Sequence, residues 1–119
     1  MSNIKLNGLD SSIIFSEFKL YDRNIECVWQ IENSQFSGKS NFNFYKDELS
    51  SKLNLKIFEF NDYDSDQYFN LIKLDNLGHY KVVLRIGAGY TGKSLLTYFM
   101  TDLVSIENFI KSLEAEFNL

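Results

Sequence analysis

Residues 87 to 94 read Gly-Ala-Gly-Tyr-Thr-Gly-Lys-Ser and satisfy the phosphate-binding pattern G-x-x-x-x-G-K-[ST], with Gly87, Gly92, Lys93 and Ser94 at its defining positions. In that chemistry consecutive backbone N–H groups wrap the phosphates, the lysine supplies a point charge and the hydroxyl reaches magnesium, while the following helix points its positive end at the anion. The residues after Ser94 do not suit that helix. Leu95-Leu96-Thr97-Tyr98-Phe99-Met100-Thr101 is β-branched and aromatic in character, and the apolar run Val82 to Ile86 precedes the glycines, so the segment predicts a β-hairpin whose loop needs glycine for positive φ. No acid after Ser94 lies at the end of a further parallel strand, where a magnesium-organising aspartate belongs, since Asp102 follows too soon for a crossover. The octapeptide therefore reads as a phosphate-loop decoy, with nucleotide binding through 87–94 as the alternative.

Asp62-Tyr63-Asp64-Ser65-Asp66 opens like a calcium-binding EF-hand loop, in which alternate carboxylates converge on one cation. The sixth position, which needs glycine for a sharp turn, is Gln67, and the twelfth, which needs a bidentate glutamate, is Lys73. The segment reads instead as a solvated acidic loop, and tyrosine beside carboxylates suits recognition of a cationic protein. Asp62, Tyr63, Asp64, Asp66 and Tyr68, with Tyr90 on the glycine-rich loop, are the candidate partner-binding residues. His79 is the only histidine and Cys27 the only cysteine, which leaves no set of imidazoles for a metal and no local signature of Cys-His or Ser-His-Asp catalysis. No catalytic residue, cofactor or metal is expected.

These residues need elements to hold them. Of the 119 residues, 45% are hydrophobic and 16% aromatic, eleven of them Phe and seven Tyr. That composition predicts one domain over 1–119 with a packed, sheet-rich core. Stretches 13–21, 25–32, 41–45, 68–74, 79–86 and 94–101 alternate apolar with polar residues and predict strands joined by turns at 22–24, around Gly38 and at 75–78. Leu49, Leu53, Ile57 and Phe60 recur at helical spacing and predict a helix over about 46–60. Leu103, Ile106, Phe109, Ile110, Leu113 and Phe117 predict a second over about 103–117, capped by Thr101 or Asp102. The fold class expected is α+β: a mostly antiparallel sheet of about six or seven strands in meanders, with the helices covering a face or an end.

A net charge of −4 and a pI near 4.9 oppose binding to nucleic acid or an anionic membrane and favour a basic protein partner. The start Met1 to Leu6 lacks a signal-peptide core and no stretch approaches the roughly 20 apolar residues of a membrane span, so the expected location is the cytoplasm.

Across residues 25 to 117 the order of features resembles the WapI-type immunity proteins of bacterial polymorphic toxin systems. The resemblance is carried by Phe36-Ser37-Gly38 entering a strand, Asp47-Glu48-Leu49 opening a helix, Gly78-His79-Tyr80-Lys81-Val82 in a hairpin and Phe99-Met100-Thr101-Asp102 before the last helix. It implies a small, cytoplasmic, non-catalytic protein that binds and neutralises a cognate toxin domain, for which a basic nuclease is a natural candidate. A small-ligand or structural adaptor domain is the other reading.

Overall fold

The computed structural model describes residues 3–33, 37–87 and 93–119. Its elements run β1 (Ile4–Asn7), β2 (Ser11–Leu20), β3 (Asn24–Asn33), β4 (Ser37–Tyr45), α1 (Lys46–Leu55), β5 (Glu59–Asn61), β6 (Tyr68–Lys73), β7 (His79–Ile86), β8 (Leu95–Asp102) and α2 (Leu103–Phe117). The class is α+β, as expected, but among the described residues the strands number eight and form two sheets. The first has the order β1-β2-β3-β4 and the second β5-β6-β7-β8, each strand antiparallel to its sequence neighbour. Helix α1 carries the chain from one sheet to the other.

Two boundaries depart from the sequence-based expectation: β4 begins at Ser37, ahead of the expected residue 41, so that Gly38, expected in a turn, pairs with Ile31, and the first helix ends early. The helix predicted over 46–60 stops at Leu55, and Phe60, assigned there to its apolar stripe, lies buried in β5. Lys56 adopts the left-handed conformation (φ 55°, ψ 39°), and the N–H groups of Lys56 and Ile57 close onto the carbonyls of Leu53 and Lys52 at 3.3 and 2.9 Å. That is a Schellman closure made without glycine. The spacing continued past it only because Phe60 returns to the same core, whereas Ile57, the stripe residue before it, is exposed. Strands β1 and β5 are four and three residues long, too short to show a period of two.

In β2, Glu17 also takes a positive φ, 53°, and the register with β3 shifts between Ser16 and Lys19. This bulge places one extra residue opposite Cys27 and returns Phe18 to the core side, where its ring meets Phe117 of α2 at 5.2 Å. Phe15 of β2 meets Phe69 of β6 at 5.4 Å and Phe109 of α2 at 5.7 Å, while Trp29 of β3 meets Phe42 of β4 at 4.9 Å. The inner faces of both sheets and α2 therefore share one aromatic core. Helix α2 starts on the expected cap, with Asp102 Oδ1 accepting from the Ser105 N–H at 2.7 Å, and buries Ile106, Phe109 and Leu113.

Candidate partner-binding surface

The acidic segment 62–67 joins β5 to β6, and both its ends are pinned by buried, hydrogen-bonded side chains. Asp62 and Gln67 are buried, at 8% and 4% exposure, whereas Tyr63, Asp64 and Asp66 face solvent and Tyr68 is half-buried. The Asp62 N–H donates to the Gln67 carbonyl at 2.9 Å, closing the loop on itself. Asp62 Oδ1 accepts from the N–H groups of Asn43 (3.0 Å) and Asp64 (3.1 Å), and Oδ2 accepts from the Gln67 amide (2.8 Å) and the Ser65 hydroxyl. Its carboxylate is thus spent on the fold, as a buried charge with several donors must be.

Gln67 is the junction of the structure. Its Oε1 accepts from Trp29 Nε1 at 3.0 Å and from the Gly87 N–H at 2.8 Å, while its Nε2 donates to the Asn41 carbonyl at 2.6 Å and to Asp62. One side chain therefore ties β3, β4, the acidic loop and the base of the β7–β8 hairpin together. The Tyr63 N–H donates to the Asn43 carbonyl at 2.8 Å, and Asn43 Nδ2 donates to Asp64 Oδ2 at 2.9 Å, so the loop lies along the edge of β4. This explains why Asn43 is buried although it sits on the outward phase of β4.

What remains outside is aromatic and acidic. The Tyr63 ring, 61% exposed, stacks on Tyr45 at 5.3 Å with the rings inclined by 20°. Asp64 projects beside it, and Asp66 pairs with Arg85 of β7 at 3.3 Å. Tyr68 lies directly opposite Arg85 in the β6–β7 register, which extends the surface onto the outer face of the second sheet. Of the candidate residues, Tyr63, Asp64, Asp66 and Tyr68 thus share a surface and Asp62 supports it from below. Tyr90 and Gly92 lie outside the described residues.

Neither Gln67 nor Tyr45 stood out in the sequence as part of this arrangement. The available signal was the glutamine standing where a cation loop needs glycine. Among the described residues no group of three or more His, Cys, Asp and Glu side chains is placed to share a metal ion.

The glycine-rich segment connects two antiparallel strands, with Ile86 opposite Leu95. Gly87 has φ 87°, and a Cβ there would stand 2.3 Å from the Lys93 carbonyl oxygen, so turn geometry accounts for this glycine. Strand β8, not a helix, follows the exposed Lys93 and Ser94. His79 opens β7 and its Nδ1 lies 2.6 Å from Asp75 Oδ2 at the surface. Cys27 is 1% exposed, and burial, reinforced by the negative charges of Asp62 and Glu26, pushes its thiol far above the ordinary range. It cannot supply a thiolate nucleophile in that state.

Among the described residues no helix is long and apolar enough to cross a membrane. Comparison with family models, with curated proteins and with solved structures gives no match to this chain.

Proposed function

We propose that this chain is a non-catalytic, immunity-type inhibitor, bacterial and cytoplasmic, that holds a cognate toxin domain against the surface of Tyr63, Asp64, Asp66 and Tyr68. The observation that carries this reading is the anchoring of that surface. Exposed side chains sit on a loop whose buried residues, Asp62 and Gln67, make hydrogen bonds to both sheets. A loop fixed before it meets its partner loses little conformational entropy on binding. Tyrosine contributes large contact area with few rotatable bonds, and solvent-facing carboxylates in a chain of charge −4 attract a basic surface such as that of a nuclease.

Gly87, just after the end of β7, is held by Gln67, and Tyr90, which follows it in the sequence, enters the proposal on its residue type alone. The test is surface plasmon resonance with the toxin domain encoded beside this chain. Binding should be tight, Tyr63→Ala should weaken it mainly through dissociation, and Asp64→Lys with Asp66→Lys should slow association about tenfold or more at low salt. Absence of association at micromolar concentration overturns the proposal.

A further inference from the structure

Strand β8 is an outer strand of the second sheet, and its free side is only partly covered. The Met100 carbonyl accepts from the Leu9 N–H at 3.0 Å, away from β7. Alternate residues of an antiparallel strand turn both backbone groups the same way. Leu96 and Tyr98 therefore present their N–H and C=O groups to that same free side, where no backbone partner meets them among the described residues.

The residues themselves leave this edge unguarded. From Ser94 to Thr101 there is no charge, proline or glycine, although outer strands are ordinarily protected by such residues. Leu96 and Tyr98 are 58% and 62% exposed. On the outer face they stand beside Arg85 and Val83 of β7, and Met100 stands beside Lys81.

Three cationic side chains stand around this edge, and only Arg85 among them has a carboxylate partner among the described residues, Asp66. Lys81 lies 4.6 Å over the Tyr98 ring and has no carboxylate partner among the described residues. Lys93 is exposed at the start of the strand. Arg85 engages Asp66 through one terminal nitrogen, and its Nε has no acceptor. A cationic, apolar edge in an acidic protein is complementary to an apolar segment that carries carboxylates. A second copy would set another predominantly cationic edge against this one, which disfavours it.

We infer that the β8 edge between Ser94 and Tyr98 is a docking site for an extended segment of a partner protein, rich in apolar residues alternating with Asp or Glu. It adds antiparallel or parallel to β8 as a fifth strand of the second sheet. Backbone hydrogen bonds to Leu96 and Tyr98 give affinity, and carboxylates facing Lys81 and Lys93 give selectivity. This inference is independent of the Tyr63 surface, because the two are altered by different substitutions.

The test is selection of a displayed library of random peptides, about seven residues long, against the immobilised full chain. Selected peptides are then synthesised and measured against the wild type, Tyr98→Pro and Leu96→Glu. Tyr98→Pro removes a free edge N–H without removing a β7 ladder bond. Leu96→Glu keeps every backbone donor and changes only an exposed side chain, so it carries the test if the proline variant does not fold.

The expected result is selection of peptides with alternating apolar and acidic residues that bind each folded variant about tenfold or more weakly. Slower hydrogen exchange at the Leu96 and Tyr98 amides should accompany binding. The inference is overturned if no peptide is selected, if the selected peptides are basic, or if they bind both variants as they bind the wild type. It is also overturned if sedimentation shows a dimer that the Leu96→Glu substitution dissolves, since the occupant is then a second copy.

Discussion

Replacing Gln67 by Met removes a hydrogen-bonding centre while nearly preserving its length and volume. Two donors, Trp29 Nε1 and the Gly87 N–H, lose their acceptor, and the Asn41 carbonyl and Asp62 Oδ2 lose a donor. At about 1 kcal/mol for each buried bond, with orphaned groups costing up to about twice that, the substitution should destabilise by about 3–5 kcal/mol. That is a large fraction of the 5–15 kcal/mol typical of a domain. Trp29, the only tryptophan and fully buried at this site, makes urea unfolding directly observable by fluorescence. With a slope of about 2 kcal/mol/M the midpoint should fall by roughly 2 M. Trp29→Phe in a double-mutant cycle isolates one bond, and the coupling energy should be about 1 kcal/mol. Gln67→Glu adds a pH arm. It keeps the acceptor for Trp29 but sets a carboxylate 2.8 Å from Asp62, which raises the introduced group's folded pKa above its unfolded value of about 4.3. The penalty is then absent below that unfolded value and grows as pH rises toward 7. A midpoint shift for Gln67→Met below about 0.5 M, or a Gln67→Glu penalty that does not grow with pH, would refute the assignment of Gln67 as the junction.

Four further outcomes follow from other positions. Gly87→Ala should destabilise by about 2–3 kcal/mol, because the new Cβ meets the Lys93 carbonyl in a left-handed turn, whereas Lys93→Ala should leave the melting temperature unchanged with or without Mg-ATP. Lys56→Gly should stabilise by about 0.5–1 kcal/mol, since it relieves a lysine from the left-handed C-terminus of α1, and a denaturation midpoint at or below the wild type would count against it. Asp102→Ala should lower thermal stability at neutral pH. The hydrogen bonds from Ser105 hold the Asp102 carboxyl below the usual carboxylate range, so this contribution is present above the unfolded pKa and is lost as pH falls through the folded one. Melting curves of the wild type and variant should therefore converge on acidification.

The antiparallel meanders, helix α2 and most of the aromatic core were legible because their signals are local. Ile25, Cys27, Trp29 and Ile31 alternate along β3, and Ile106, Phe109 and Leu113 recur at helical spacing, and all of them are buried. The missing parts depend on distant groups. Residues 4–7 become a strand because β2 pairs with them, Ile4 opposite Phe15 and Leu6 opposite Ile13. Phe60 leaves the helical pattern because Phe69 receives its ring at 4.7 Å. Strict alternation would also turn Glu17 inward, and the bulge that prevents this has no glycine to announce it. Among the candidate surface residues, a linear run of acids does not reveal that Asp62 turns inward while Asp64 and Asp66 turn out. That division arises only when the edge of β4 supplies the Asn43 N–H.

The octapeptide and the acidic loop entered as two unrelated resemblances to ligand-binding motifs, yet the fold makes them mechanically one unit. The Gly87 N–H, which a phosphate loop would turn toward an anion, is satisfied by Gln67, and Gln67 in turn fixes Asp62, beneath the Tyr63 surface. A substitution at Gln67 alters none of the proposed contact side chains, yet it frees the hairpin base and the acidic loop together. Binding through Tyr63 and Asp64 should then weaken by loss of preorganisation, most visibly as a more unfavourable binding entropy. Docking of an extended segment at Leu96 and Tyr98, held by the β7 ladder rather than by Gln67, should be affected far less. Equal loss at both surfaces would mean that the two sheets, and not the Gln67 junction, set the geometry of each.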